Sequence, residues 1–246
     1  MRVAVAGGTG VVGKQAVKAI ATAGHEPVVL ARSAGVDVIT GAGLDEALVG
    51  VDVVIDASNV TTTSGRKATA FFEQGGANLL AAGAKAGVQH HIVVSIIGID
   101  LAPMGYYVAK QRQEEVAKSG TIRWTILRVT QFHEFAGQVL DRVPGPIALV
   151  PPFQVQPIAA HEVGTHLAGL ATGPALGMAP ELAGPEVHQL PDLCRAVLKA
   201  RGSKKPVVVV PYPGEAGSAM KSGALLPKSD GPRGVERFAD WLATGS

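Results

Sequence analysis

The sequence predicts an α/β protein: a doubly wound parallel sheet with a small C-terminal lobe built onto it. Three observations carry this. Short, unbroken apolar runs recur through the first 130 residues, the pattern of strands covered on both faces. Helical stretches separate them, as right-handed crossovers between parallel strands require. A glycine-rich segment, Gly7 to Gly13, joins the first run to the first helix.

Val3–Ala6 reads as a buried strand, and Val11–Ala23 as a helix stopped by Gly24. Pro27–Leu30 is a second strand and Val36–Thr40 a short third. Asp45–Val49 is a short helix and Val51–Ala57 a fourth strand. A helix ends near Gly87, with Asn78–Ala86 its clearest part, and Ile92–Ser95 is a fifth strand. Tyr106–Lys118 is a helix ended by Gly120, and Arg123–Arg128 a sixth strand. After residue 130 Pro and Gly become frequent, for example at Pro144, Pro146, Pro151 and Pro152. Helices remain expected at His161–Ala171, Leu193–Ala200 and Val235–Leu242, with a late strand at Val207–Val210. The expected division is a core over 1–130 and a lobe over 131–246, partly interleaved with it.

Composition excludes several classes. At 47% hydrophobic and 17% charged, the 246-residue chain is globular rather than disordered. A net charge of +2, with no basic stripe carrying aromatics, gives no reason to expect a nucleic-acid partner. The single cysteine, Cys194, excludes an internal disulfide and a cysteine-based zinc site, and fits a reducing, cytoplasmic setting. The N-terminal apolar run breaks at Gly7, Gly8, Thr9 and Gly10, so it does not read as a signal peptide. No apolar run is long enough to span a membrane. Oligomeric state is left open, a homo-oligomer included.

The glycine segment satisfies G-x-G-x-x-G at Gly8, Gly10 and Gly13, and G-x-x-G-x-x-G at Gly7, Gly10 and Gly13. The first glycine permits the tight turn, the middle one lets backbone approach a pyrophosphate, and the last lets the helix press on the strand. Thr9, Val11 and Val12 fill the intervening positions. An anion then sits at the helix N-terminus, among free N–H groups and at the positive end of the dipole. The segment follows a strand and opens a helix, so the expected ligand is a nicotinamide dinucleotide.

Sites for NAD place a carboxylate at the end of the second strand, to accept from the ribose 2′-hydroxyl. Here Leu30-Ala31-Arg32-Ser33 stands there instead. A guanidinium pairs with a 2′-phosphate in a forked, charge-assisted contact, so NADP(H) is expected over NAD(H). Asp37 and Val38, with Ala57 and Ser58 after the fourth strand, fall where an adenine ring would pass.

Tyr106-Tyr107-Val108-Ala109-Lys110 contains Y-x-x-x-K. On a helix Tyr106 and Lys110 share a face, and a nearby ammonium lets a tyrosine move a proton near neutral pH. Tyr107 stands three residues from Lys110 and is an alternative inward tyrosine. Lys110 can also hydrogen-bond the nicotinamide ribose, and Ser95 can polarise a carbonyl. The candidate catalytic set is therefore Ser95, Tyr106 and Lys110.

Other constellations are set aside. His161 and His166 are five apart rather than four, which splays them by roughly 140° on a helix and disfavours a metal site. His90-His91 reads as a surface pair. His133-Glu134 allows a substrate contact or a structural role. There is no G-x-S-x-G elbow for a serine hydrolase.

The glycine turn, the Tyr106–Lys110 segment and Trp124-Thr125-Ile126-Leu127-Arg128 resemble the short-chain dehydrogenase/reductase superfamily. Gly50-Val51-Asp52-Val53-Val54-Ile55, Gly87-Val88 through Gly98, Pro157-Ile158-Ala159 and Ala183-Gly184-Pro185-Glu186 are similar to its atypical, NmrA-like NAD(P)H-binding branch. The resemblance implies a Rossmann core, a C-terminal substrate lobe, Lys110 as the central active-site residue and Tyr106 as the acid. The chain departs at Ile96 and Ile97, where relatives with the full catalytic set often carry hydroxyls. Two functions follow: an NADP(H)-dependent oxidoreductase acting on a small carbonyl, quinone or enone, or a binding protein that senses the nicotinamide redox state. A nucleotide-sugar epimerase ranks third, because its C-terminal lobe is usually longer.

Overall fold

A computed structural model describes residues 1–62 and 64–245. In chain order the elements begin with β1 (Arg2–Ala6), α1 (Val11–Thr22), β2 (Glu26–Leu30), α2 (Leu44–Ala47) and β3 (Val53–Asp56). Next come α3 (Gly65–Ala86), β4 (His90–Ile96), α4 (Gly105–Ser119), β5 (Arg123–Val129), α5 (Phe135–Asp141), β6 (Ala148–Val150) and β7 (Gln154–Val155). The chain closes with α6 (Ala160–Thr172), β8 (Gly177–Met178), β9 (His188–Gln189), α7 (Leu190–Ala200), β10 (Val207–Val209), α8 (Gly214–Lys221) and α9 (Phe238–Ala243).

Two compact units divide the chain. The first comprises Met1–Ser95, Met104–Arg128 and Ala160–Ala179, and the second Ile96–Pro103, Val129–Ala159 and Pro180–Ser246. The first unit is built on a six-stranded sheet of order β2-β1-β3-β4-β5-β8. Parallel registers such as Val5↔Val29, Val5↔Ile55 and Ile55↔Ile92 give it the Rossmann-type α/β architecture. On one face Leu79 and Leu80 of α3 join Ala4, Ala6, Leu30 and Val54 in the core. On the other face α1 packs against α6, where a side chain at Gly164 would collide with the Gln15 backbone at 2.5 Å. The chain leaves β1 for β2 on one side and returns to β3 on the other. That reversal opens a crevice at the carboxyl ends of β1 and β3, where ligands of open α/β sheets bind.

The expected strand at Val36–Thr40 is not formed. The Asp37 carboxylate accepts from the Ile39 amide at 2.8 Å, folding the segment into a side-chain-capped turn. Gly41 and Gly43 follow at φ +77° and +74°, where the chain cannot run extended. Asn78 of α3 donates to the Val38 and Ile39 carbonyls, both at 2.8 Å, so these groups need no neighbouring strand. The expectation of a surface pair at His90-His91 is also corrected. Both side chains are buried, His90 against the Thr125 hydroxyl at 2.8 Å and His91 on the opposite face of β4.

The second unit holds a parallel pair, β6 with β10, and an antiparallel pair, β7 with β9. Leu190, Leu193, Cys194, Val197 and Leu198 form the buried stripe of α7, at the spacing an amphipathic helix requires. Among the described residues no helix is long and apolar enough to cross a membrane.

Candidate functional site

The Gly7–Gly13 segment leaves β1 and enters α1 with little room for side chains. Gly7 lies at φ +72°, and a Cβ there would stand 2.6 Å from the Ala57 carbonyl oxygen. At Gly13 it would stand 2.0 Å from the Gly7 carbonyl oxygen. Gly10 caps α1 without a side-chain hydrogen bond, and no acidic residue occupies the first turn. The N–H groups of Val11, Val12 and Gly13 therefore face outward without an intrahelical acceptor. At Gly10 a Cβ would stand 3.2 Å from the Gly7 carbonyl oxygen, a tight contact, and beyond its chain neighbours would meet nothing else within 4 Å, so the glycine leaves space on the open side of the turn. These features fit a dinucleotide pyrophosphate: a cradle of backbone donors, a helix dipole, and no carboxylate to repel it.

The turn is pinned to its neighbours. The Gly7 amide donates to the Leu30 carbonyl at 3.1 Å, and the Ala57 amide to the Ala6 carbonyl at 3.0 Å. Arg32 and Ser33 follow Leu30 in a single 3-10 turn and are exposed. Asp37 is occupied in the capped turn described above, and Val38 packs where a side chain at Gly75 of α3 would meet it at 3.3 Å. Ala57 and Ser58 lie against Gly7, with the Ser58 amide donating to the Asp56 carboxylate at 3.0 Å.

Ser95, Tyr106 and Lys110 each hydrogen-bond to different partners. Ser95 is buried at the end of β4, and its hydroxyl donates to Glu114 Oε1 at 2.6 Å. The same carboxylate accepts from Arg128 Nε at 2.9 Å and Nη2 at 3.0 Å. The half-buried Tyr106 donates to Asn59 Oδ1 at 2.7 Å. Lys110 is only 5% exposed. Its ammonium donates to the Val94 carbonyl at 2.7 Å and to Gln113 Oε1, and lies 4.8 Å from the centre of the Phe72 ring. Burial pushes its pKa down to about 8, against the upward pull of Asp56 and Glu114. Phe72 also meets Tyr106 edge-on, with ring centres 6.0 Å apart.

Several of these partners escaped the sequence reading: Asp56, Asn59, Gln113, Glu114 and Arg128 as side chains of the site. A signal was present for some. Gln113 and Glu114 stand three and four residues beyond Lys110 and so share its helix face. Asp56 closes an apolar strand, where a carboxylate needs partners. Gln113 Nε2 donates to Asp56 Oδ2 at 2.7 Å. Asn59 carried no such signal. His133 lies in the second unit, buried, with its ring centre 5.4 Å from a tilted Trp241 and 5.6 Å from an edge-on Phe238, and Nε2 on the Glu236 carbonyl. Among the described residues no cluster of His, Cys, Asp or Glu is arranged to hold a metal.

A family model for NAD(P)H-binding proteins matches residues 7–145, more than half of the chain. No match was found among curated proteins. Solved structures share the fold over nearly the whole length. A short-chain dehydrogenase/reductase protein from Agrobacterium tumefaciens with bound NAD has a TM-score of 0.70 at 18% identity, covering 99% of this chain and 95% of that one. An NADPH-dependent quinone oxidoreductase from Escherichia coli, complexed with NADPH, has a TM-score of 0.71 at 17% identity, covering 98% and 99%. A UDP-glucose 4-epimerase from Thermus thermophilus with NAD has a TM-score of 0.67 at 20% identity, covering 100% and 93%. With its glycine cradle, its switch-point crevice and a family match over more than half of its length, the chain belongs to the NAD(P)H-binding family.

Proposed function

We propose that this protein is an NADP(H)-dependent reductase that delivers a hydride to a small carbonyl, quinone or enone. The observation that carries the reading is Arg32. It is exposed two residues beyond Leu30, whose carbonyl holds Gly7, and it makes no side-chain hydrogen bond or ion pair among the described residues. An unpaired guanidinium at that strand end, with no carboxylate beside it, suits a 2′-phosphate.

The bound dinucleotide supplies the hydride from its nicotinamide ring. The chain supplies everything else. Gly7, Gly8, Thr9, Gly10, Val11, Val12 and Gly13 hold the pyrophosphate, Arg32 and Ser33 the 2′-phosphate. Ala57 and Ser58 wall the crevice, and Asp37 and Val38 lie toward the adenine. Tyr106 gives a proton to the substrate oxygen as the hydride reaches carbon. Of the three candidate groups only its hydroxyl belongs to a residue that is not fully buried. Lys110 supplies positive charge on the same helix face. The E. coli quinone oxidoreductase of the same fold makes quinones a sensible first substrate class.

A second reading is a dinucleotide-binding redox sensor. It is favoured by the engagement of Ser95 with Glu114 and of Lys110 with Val94 and Gln113. The deciding experiment is NADPH oxidation across a panel of quinones, enones and carbonyls. Turnover with at least one compound, lost in Tyr106→Phe, supports the reductase. Saturable NADPH binding without turnover across the panel supports the sensor.

A further inference from the structure

We propose that Gln113 is a positioning residue for the dinucleotide cradle: its amide joins Lys110 to Asp56 and thereby fixes the Ala57–Ser58 backbone on which the Gly7 turn rests. The proposal rests on dinucleotide binding at that turn.

The amide has one workable orientation. Oε1 accepts from the Lys110 ammonium and Nε2 donates to Asp56 Oδ2 at 2.7 Å. Reversed, it would set N–H against an ammonium and oxygen against a carboxylate, repulsive at both ends. Lys110, Gln113 and Asp56 are all buried, so lost partners are not replaced freely by water.

The chain of contacts leads outward. Asp56 Oδ1 takes the Ser58 amide at 3.0 Å, which turns the backbone just past β3. The Ala57 carbonyl of that turn is the atom nearest to a side chain placed on Gly7, at 2.6 Å. The cradle and the turn are therefore in close backbone contact, and a shift of a few tenths of an ångström in Ala57 is felt at Gly7. At its inner end the network is anchored twice, by the Val94 carbonyl of β4 and the Phe72 ring of α3. Glu114 is the other charged group facing Lys110, and it is committed to Ser95 and Arg128. His91 is another titratable neighbour of Asp56, and its pKa is lowered, with burial the main cause. Gln113 is therefore the neutral link between ammonium and carboxylate.

The test is an exchange of amide and carboxylate. Gln113→Glu alone sets a second carboxylate against Asp56, and Asp56→Asn alone removes the charge that Lys110 faces. Combined, Asp56→Asn with Gln113→Glu restores every link: the new carboxylate accepts from Lys110 and from the new amide, whose oxygen still accepts from the Ser58 N–H. NADPH affinity is measured by titration calorimetry on each folded protein, alongside melting temperature without ligand. Each single variant should bind NADPH about tenfold or more weakly, the size expected for a hydrogen bond to a charged group. The exchange should return affinity to within about threefold of wild type, under half a tenfold step. Unchanged affinity in the single variants, or an exchange that recovers melting temperature and not affinity, overturns the proposal. A wild-type protein that binds neither NADPH nor NADH overturns the dinucleotide reading, and this one with it.

Discussion

The Ser95 hydroxyl donates a hydrogen bond to Glu114 Oε1 at 2.6 Å, and both side chains are buried. Glu114 also carries the forked contact from the partly exposed Arg128, so the serine completes the solvation of a buried carboxylate. Ser95→Ala should cost about 1–3 kcal/mol of stability, the penalty for leaving a buried polar partner short of one bond. Glu114→Ala should cost more than Ser95→Ala, because it removes the carboxylate that Ser95, Arg128 and Lys118 share. The effects of Ser95→Ala and Glu114→Gln should be non-additive, since the two groups share one hydrogen bond. Urea unfolding of the ligand-free double-mutant cycle measures the coupling, and strict additivity would show that the bond contributes nothing.

On the proposed reading Arg32 is the residue that separates the two nicotinamide cofactors. Arg32→Ala should weaken NADPH binding by about tenfold or more, the loss of a charge-assisted contact at a phosphate, and leave NADH binding nearly unchanged. Arg32→Glu should go further and favour NADH, because a carboxylate accepts from the ribose hydroxyl and repels the phosphate. Parallel titrations with both dinucleotides read the ratio. An unchanged ratio in Arg32→Ala would mean that the 2′-position is held elsewhere.

Gly10 and Gly13 have different jobs, and alanine tells them apart. A methyl group at Gly13 would stand 2.0 Å from the Gly7 carbonyl oxygen, which is backbone and cannot swing aside. Gly13→Ala should therefore lower the melting temperature as well as cofactor affinity. At Gly10 the methyl would stand 3.2 Å from that same oxygen, a contact that a shift of a few tenths of an ångström relieves, and φ is −77°, which alanine adopts readily. Gly10→Ala should therefore lose less stability than Gly13→Ala and still bind NADPH poorly, since the methyl points into the space a pyrophosphate would take. Equal NADPH affinity in Gly10→Ala and wild type would place the phosphates elsewhere.

Legibility in the sequence followed the range of the forces involved. The strands at 3–6, 27–30 and 92–95 and the helix from Val11 were readable because periodicity and glycine punctuation are local signals. The segment at 36–40 misled because its apolar alternation resembled a strand. The deciding contacts came from Asn78, about forty residues away in sequence. His90 and His91 were misplaced for a similar reason: a histidine pair looks polar until Thr125 and Asp56 are seen beside it. At the site, the glycine turn was readable as a motif. Helix spacing put Gln113 and Glu114 beside Lys110, but what they bond to was not readable, because links such as Gln113 to Asp56 and Glu114 to Ser95 join residues that only the fold brings together.

Lys110 makes the pH dependence of stability a probe of its burial. Burial, only partly offset by Asp56 and Glu114, lowers its pKa to about 8 in the folded chain, from 10.5 in the open one. Between those values the unfolded chain holds a proton that the folded chain has released, so stability rises with pH across that window. Below pH 8 the folded state bears the full cost of a buried ammonium. Lys110→Met removes this term and leaves the Val94 carbonyl and the Gln113 amide without their donor, an offset that does not depend on pH. Stability of the variant relative to wild type should therefore fall by about 3 kcal/mol as pH is raised from about 8 to 10.5. The Cys194 thiol, pushed up to about 11 by burial, titrates in both proteins and cancels in the difference. Denaturant unfolding of both proteins at closely spaced pH values gives that difference directly. A flat difference would mean that Lys110 keeps its ordinary pKa in the folded chain and is reached by water.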